Sequence, residues 1–168
     1  MKRFVAFSLI SIILLLSACS VKENFPMECV NDNIDAPALP CFRIEAELPQ
    51  QAVLTLSGDD GRFAVFSHAD YTITEEIFPA SSWDAAFVHI TGRDSDSLRP
   101  ILAGNFPFEK YRCAWSVAGE NGTKLCQSTL VWDGSYYYAV SVECAAEKAP
   151  SYEKLFSSLL SGVQLEAI

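Results

Sequence analysis

The sequence predicts an α+β fold: a single domain in which an antiparallel sheet with a C-terminal meander is packed by a C-terminal amphipathic helix. Three observations carry that prediction. Residues 111–117, 123–132 and 136–143 are rich in aromatic and β-branched side chains, and Asn121-Gly122 and Asp133-Gly134 separate them. Such dipeptides suit the positive φ angles of two-residue hairpin turns. Behind this stretch, Tyr152, Leu155, Phe156, Leu159, Leu160 and Val163 recur at i, i+3, i+4, i+7, i+8 and i+11, an apolar stripe on one helix face. Earlier, Phe42, Ile44, Ala46 and Leu48 alternate with Arg43, Glu45 and Glu47, the period of a half-buried strand.

The elements follow in order. The strand that opens after Cys41 stops at Pro49, and Val53, Leu54 and Leu56 suggest a second. Gly58-Asp59-Asp60-Gly61 reads as a turn into a third strand over 62–68, and 71–78 as a fourth ending at Pro79. Residues 81–91 fit two assignments: Trp83, Phe87 and Ile90 have helical spacing behind a Ser cap, while 87–90 alone fits a strand. The helix is the preferred assignment. Residues 94–105, with Pro100 and Gly104, read as an irregular connection. Taking Asp133-Gly134 as a two-residue turn sets Val131 opposite Tyr136 and Thr129 opposite Tyr138 on one side of the sheet, with Leu130, Trp132 and Tyr137 on the other. Ser151, behind Pro150, is the expected cap of the last helix and Gly162 its terminator. Val163, Leu165 and Ala167 then alternate with Gln164 and Glu166 as a closing strand.

The chain before Cys41 has another character. Lys2 and Arg3 precede an apolar run over 4–16, shorter than the roughly 20 residues a membrane-spanning helix needs, so it reads as a removable export signal. The run ends in Leu16-Ser17-Ala18-Cys19, which resembles the lipobox of bacterial lipoproteins. The resemblance implies a diacylglyceryl group on the Cys19 thiol, cleavage before it and acylation of the new amine. Several acyl chains make a stable anchor where one binds marginally. Ser20 rather than Asp after the cysteine is similar to lipoproteins sorted to the outer membrane, facing the periplasm, and makes the inner membrane the second choice. Asn24, Pro26, Asn31, Asp32, Asn33, Asp35, Pro37 and Pro40 show little periodicity and read as a tether. The organisation is thus 1–18 signal, 19–40 lipidated tether and 41–168 folded domain.

Charge narrows the partners. The net charge of −9 becomes −11 once Lys2 and Arg3 leave with the signal, which argues against nucleic acid and against electrostatic docking on anionic lipid. The expected partners are the membrane, through lipid on Cys19, and another envelope protein. Besides Cys19 the chain carries Cys29, Cys41, Cys113, Cys126 and Cys144, with no CxxC spacing. In an oxidising compartment these read as two structural disulfides and one free thiol, with connectivity open.

No residue pattern reads as catalytic. His68 and His89, with Asp70 and Asp84 near them in sequence, match no metal-ligand spacing such as HExxH. Ser57-Gly58 and Ser161-Gly162 lack a nucleophile elbow. The acid pairs Asp59/Asp60, Glu75/Glu76 and Asp94/Asp96 reproduce no calcium loop. No metal, cofactor or catalytic residue is expected. The aromatic set Trp115, Trp132, Tyr136, Tyr137 and Tyr138 is the candidate partner-binding surface, since three consecutive tyrosines must point to both faces of a strand and one helix covers only one. The alternative is a doubly covered sheet that takes every ring into its core.

A meander ending in Tyr136-Tyr137-Tyr138, a helix with Leu159-Leu160-Ser161 and a short closing strand together resemble the tail of PsbP-like and DcrB-like domains. The opening Phe42-Arg43-Ile44 strand running to Pro49 is similar to theirs, although the tryptophan that often follows that proline is absent. The resemblance implies an antiparallel sheet flanked by helices and a non-catalytic accessory role, and carries over no functional residue. The leading functional expectation is therefore a membrane-tethered periplasmic accessory or partner-binding lipoprotein. The alternatives are an immunity or inhibitor lipoprotein against a periplasmic toxin or hydrolase, and a periplasmic hydrolase of unrecognised type.

Overall fold

The computed structural model describes residues 39–119 and 122–168. The expected export signal, Cys19, Cys29 and nearly all of the expected tether lie outside the described residues.

Asp133 shows how local chemistry sets the sheet. Its Oδ1 accepts from the Ser135 and Tyr136 N–H groups, both at 2.7 Å, and its Oδ2 accepts from the Tyr138 hydroxyl at 2.6 Å. This carboxylate-made turn, with Gly134 at φ 104°, joins β7 (Gly122–Trp132) to β8 (Tyr137–Ala145). The turn centres on Gly134-Ser135 rather than Asp133-Gly134, so Val131 pairs with Tyr138 and Thr129 with Val140. The slip from the expected register is two residues. Because side chains alternate with period two, it changes partners and leaves every side chain on its expected face. At the other end of the meander β6 (Glu109–Gly119) pairs with β7 as far as Gly119 opposite Gly122, so Gly122, at φ 110°, belongs to the strand rather than to the centre of a turn.

The N-terminal strands are β1 (Phe42–Glu45), β2 (Val53–Ser57), β3 (Phe63–Ser67) and β4 (Tyr71–Phe78). Residues 94–105, expected to be irregular, hold a short helix and β5 (Ile101–Gly104). Strands this short at a sheet edge have no periodicity of their own; pairing with β6 defines β5. All pairs are antiparallel in a seven-stranded sheet of order β2-β3-β4-β8-β7-β6-β5. β1 pairs instead with β9 (Gln164–Ala167) in a separate two-stranded ribbon, where an exposed Arg43–Glu166 pair at 2.6 Å faces solvent.

Among the described residues three helices cover the large sheet. α1 (Trp83–Thr91) starts at Ser82, whose side chain accepts from Ala85 N–H, and ends at left-handed Gly92. α2 (Ser95–Leu98) is capped by Asp94. These two pack Phe87, Ala86 and Leu98 onto Phe78, Cys113, Leu130, Tyr137 and Ala139. α3 (Ala149–Gly162) lies on the opposite face, where Phe156, Leu159, Leu160 and Val163 meet Ile73, Val131, Tyr138, Val140 and Val142. Its cap position is Lys148, with no side-chain bond, and Pro150 sits in its first turn. Ser151 is therefore inside the helix and not its cap, because proline pre-sets helical φ one position earlier. The buried Thr129 hydroxyl donates to the Leu160 carbonyl at 2.8 Å, fastening α3 to β7.

Candidate functional site

Coverage on both faces decides the fate of the aromatic set. Tyr136, Tyr137 and Tyr138 are buried, at 4%, 2% and 0% exposure, and Trp115 and Trp132 are half-buried against the α1 cluster. The expected exposed aromatic surface is therefore core. Tyr137 packs under α1 with Trp83 at 4.9 Å, and Tyr138 lies on the α3 face near Phe42.

The thiols also depart from expectation. Cys41 is disulfide-bonded, whereas Cys113, Cys126 and Cys144 are free and buried. Register explains this: Cys113 stands opposite Ser128, Cys126 opposite Trp115 and Glu143, and Cys144 opposite Leu125 and Tyr71. Cys113 and Cys126 share a face only as diagonal neighbours, about 7–8 Å apart in such sheets, beyond the Cβ separation of about 3.5–4.5 Å that a disulfide needs. Cys144 points to the other face. Burial pushes the Cys113 thiol up to about 12 and the Cys126 thiol up to about 11, so both stay protonated and poorly nucleophilic at neutral pH.

The remaining polar candidates are engaged separately. His89 Nε2 lies 2.6 Å from Glu76 Oε1, while His68 Nδ1 accepts from Asp70 N–H at 3.2 Å and its ring stacks on Tyr71 at 4.4 Å. Asp70 also accepts from the Tyr152 hydroxyl, a bond that holds its carboxyl below the usual range and raises Tyr152 to about 12. Asp84 accepts from the Ser95 N–H and hydroxyl. Glu75 and Glu76 point to opposite faces, and burial raises the Glu75 carboxyl. Asp60 contacts Arg62, and the Ser161 hydroxyl donates to the Ser157 and Ser158 carbonyls. Among the described residues no group of three His, Cys, Asp or Glu side chains is placed to hold a metal ion.

The structure instead assembles a site from residues that stand apart in sequence. A cleft of about 320 Å³ is lined by Phe106, Pro107 and Phe108 of the β5–β6 connection, Lys110 and Val131 of the sheet, and Val163, Gln164 and Leu165 where α3 passes into β9. Phe106 is 68% exposed at its edge, and Phe108 is braced by Phe42 with ring centroids 5.1 Å apart. The Lys110 ammonium donates to the Val163 carbonyl. Burial, reinforced by the charge of Arg112, lowers the Lys110 pKa. Lys110 and Arg112 project to the same face of the sheet, opposite Val131 and Thr129. Sequence alone marks none of this, because Lys110 falls just before the expected strand over 111–117 and its carbonyl partner lies 53 positions away.

No protein-family model and no curated protein matches the chain. Solved structures do share its fold. LpqN of Mycobacterium tuberculosis, described as involved in cell envelope biogenesis, superposes with a TM-score of 0.52 at 10% identity, over 74% of this chain and 83% of that one. The cyanobacterial PsbP protein CyanoP of Synechocystis superposes with a TM-score of 0.53 at 9% identity, over 76% of this chain and 94% of that one. At such identities the likeness is one of fold, and it agrees with the PsbP-like resemblance of the tail: the chain is an α+β domain built like that of CyanoP and LpqN.

Proposed function

We propose that this chain is an envelope lipoprotein, held through lipid on Cys19 at the periplasmic face of the outer membrane, which serves as an accessory factor by binding rather than by catalysis. The observation that carries the reading is the cleft beside Lys110. Apolar side chains line it together with one ammonium, the Gln164 amide and exposed backbone such as the Val163 carbonyl, a mixed composition suited to recognition. The signal and the Leu16-Ser17-Ala18-Cys19 junction support the anchor. Among the described residues no helix is long and apolar enough to cross a membrane. LpqN, which shares the fold, is described as acting in envelope biogenesis.

Two measurements test the reading. Density-gradient fractionation should find the wild-type chain in outer membranes and Cys19→Ser as unprocessed precursor without lipid label; normal processing and membrane retention of that variant would refute the anchor. In a strain lacking the gene and challenged with detergent, a His68→Ala/His89→Ala double variant should complement as well as wild type, and Phe106→Asp should not. The reverse pattern, with both proteins folded, would point to catalysis at the histidines.

A further inference from the structure

We propose that the cleft beside Lys110 takes an apolar carboxylate, a small molecule with a medium-length acyl chain, whose carboxylate meets the Lys110 ammonium while its chain lies among Phe106, Val131 and Leu165. This rests on the binding reading of the same cleft and adds the chemical class of its ligand.

Charge comes first. An ammonium has three donors, and the structure gives that of Lys110 one acceptor, the neutral Val163 carbonyl. Lys124 pairs with Glu143 at 2.6 Å and Lys148 with Asp70 at 3.4 Å, while Lys154, which has no carboxylate partner among the described residues either, is exposed to solvent. Among the described residues Lys110 has no carboxylate partner, although it is the lysine that burial and the neighbouring Arg112 charge disfavour. A partly desolvated cation without a counter-ion gains from an incoming anion more than an exposed one does. The chain carries 21 acidic residues against 12 basic ones, yet Lys110 and Arg112 stand together on this face. The spot is therefore locally cationic on an acidic protein.

Shape and lining supply the second half. The volume lies at the lower end of the roughly 300–1,000 Å³ typical of small-molecule pockets, room for a chain of roughly eight carbons. Phe106, Phe108, Val131, Val163 and Leu165 offer apolar surface, and the Gln164 amide and backbone carbonyls add polar groups beside the ammonium. A bare inorganic anion leaves that surface wet, and an alkane or alcohol leaves the ammonium without a counter-charge. An acyl carboxylate satisfies both.

The test uses the mature lipoprotein on lipid nanodiscs, titrated calorimetrically with sodium octanoate and with octanol after subtraction of empty discs. Octanoate should bind at least tenfold more tightly than octanol. Lys110→Met, which keeps the wall apolar, should abolish that preference, and Phe106→Asp, at an exposed position where folding is not at risk, should weaken octanoate at least tenfold. Equal binding of octanoate and octanol, unchanged by Lys110→Met, overturns the carboxylate inference and leaves the cleft as a binding site. If neither probe binds, the inference falls. The binding reading then falls with it only if Phe106→Asp also complements the deletion strain.

Discussion

Strands β8 and β2 look alike in sequence and live differently in the fold. β8 runs Tyr-Tyr-Ala-Val-Ser-Val-Glu-Cys-Ala between β4 and β7 at the middle of the sheet, and buries Tyr137, Tyr138, Ala139, Val140, Val142 and Cys144. β2 runs Val-Leu-Thr-Leu-Ser, no less apolar, yet all of its residues are exposed. Among the described residues it has one neighbour, β3, and neither the α1–α2 layer nor α3 packs its side chains into a core cluster. Apolar, β-branched composition makes a strand; position in the sheet decides whether that strand is buried. A bulge between Leu54 and Leu56, with the Thr55 hydroxyl 3.0 Å from that of Ser67, breaks the regular edge that β2 presents to other chains.

The largest effect separating the two regions should come from the layer over β8. Leu159 is 3% exposed, packed in the cluster that holds Val140 and Val142. Leu159→Ala should cost about 2–5 kcal/mol, read as a lowered urea midpoint. Ser157→Ala, on the exposed side of α3, should leave the midpoint nearly unchanged. Equal losses at both positions would mean that α3 does not pack as described.

The same contrast explains what was legible in the sequence. α3 is readable because its apolar stripe recurs from Tyr152 to Val163, whereas α1 spans nine residues, of which 87–90 fit a strand as well as a helix. β4 has its expected bounds, Tyr71–Phe78, because Pro79 ends it. The β7–β8 register was missed by two because Asp133 reaches forward to two amides and a tyrosine hydroxyl, a bond set that the Asp-Gly dipeptide does not reveal. The burial of Tyr137, beside Tyr136 and Tyr138 under α3, depends on α1 covering the second face, and the Lys110 cleft on α3 ending beside β6. Both are consequences of distant packing, and neither leaves a local pattern.

The next effect concerns the entrance to β8. Asp133→Ala removes the acceptor for three hydrogen bonds at 2.6–2.7 Å, and bonds to a charged group are worth about 1.5–3 kcal/mol. Asp133→Asn, which keeps one acceptor oxygen, should recover part of that loss in the same denaturation assay. If Asn were as damaging as Ala, the charge rather than the turn geometry would dominate.

The thiols beneath α1 and Trp115 give a pH signature that β2 lacks. The folded-state pKa of Cys113 is raised to about 12 by burial, against an unfolded value near 8.5. The folded chain therefore binds more protons between those values, so the stability this group contributes is complete below about pH 8.5 and is lost as pH rises toward the folded value. The loss is at most about 1.4 kcal/mol per pH unit for one thiol. Cys113→Ala should flatten the fall of unfolding free energy above about pH 9, whatever its absolute cost at neutral pH. Alkylation of the denatured, unreduced chain should modify Cys113, Cys126 and Cys144; protection of any of them would reveal a bridge.

The smallest effect is expected at Leu56, and it is the sharpest test of the contrast. Leu56 is 58% exposed on the edge strand, so removing its side chain creates no cavity, and surface substitutions of this kind fall within about ±0.5 kcal/mol. Leu56→Ala should leave the urea midpoint within that range. Leu56→Lys should do the same while adding the charge that natural edge strands often carry, and so should raise solubility without altering sedimentation. A loss at Leu56 approaching that at Leu159 would show that β2 is covered in solution. Its dependence on protein concentration would then identify the cover, because self-association couples stability to concentration and packing within one chain does not.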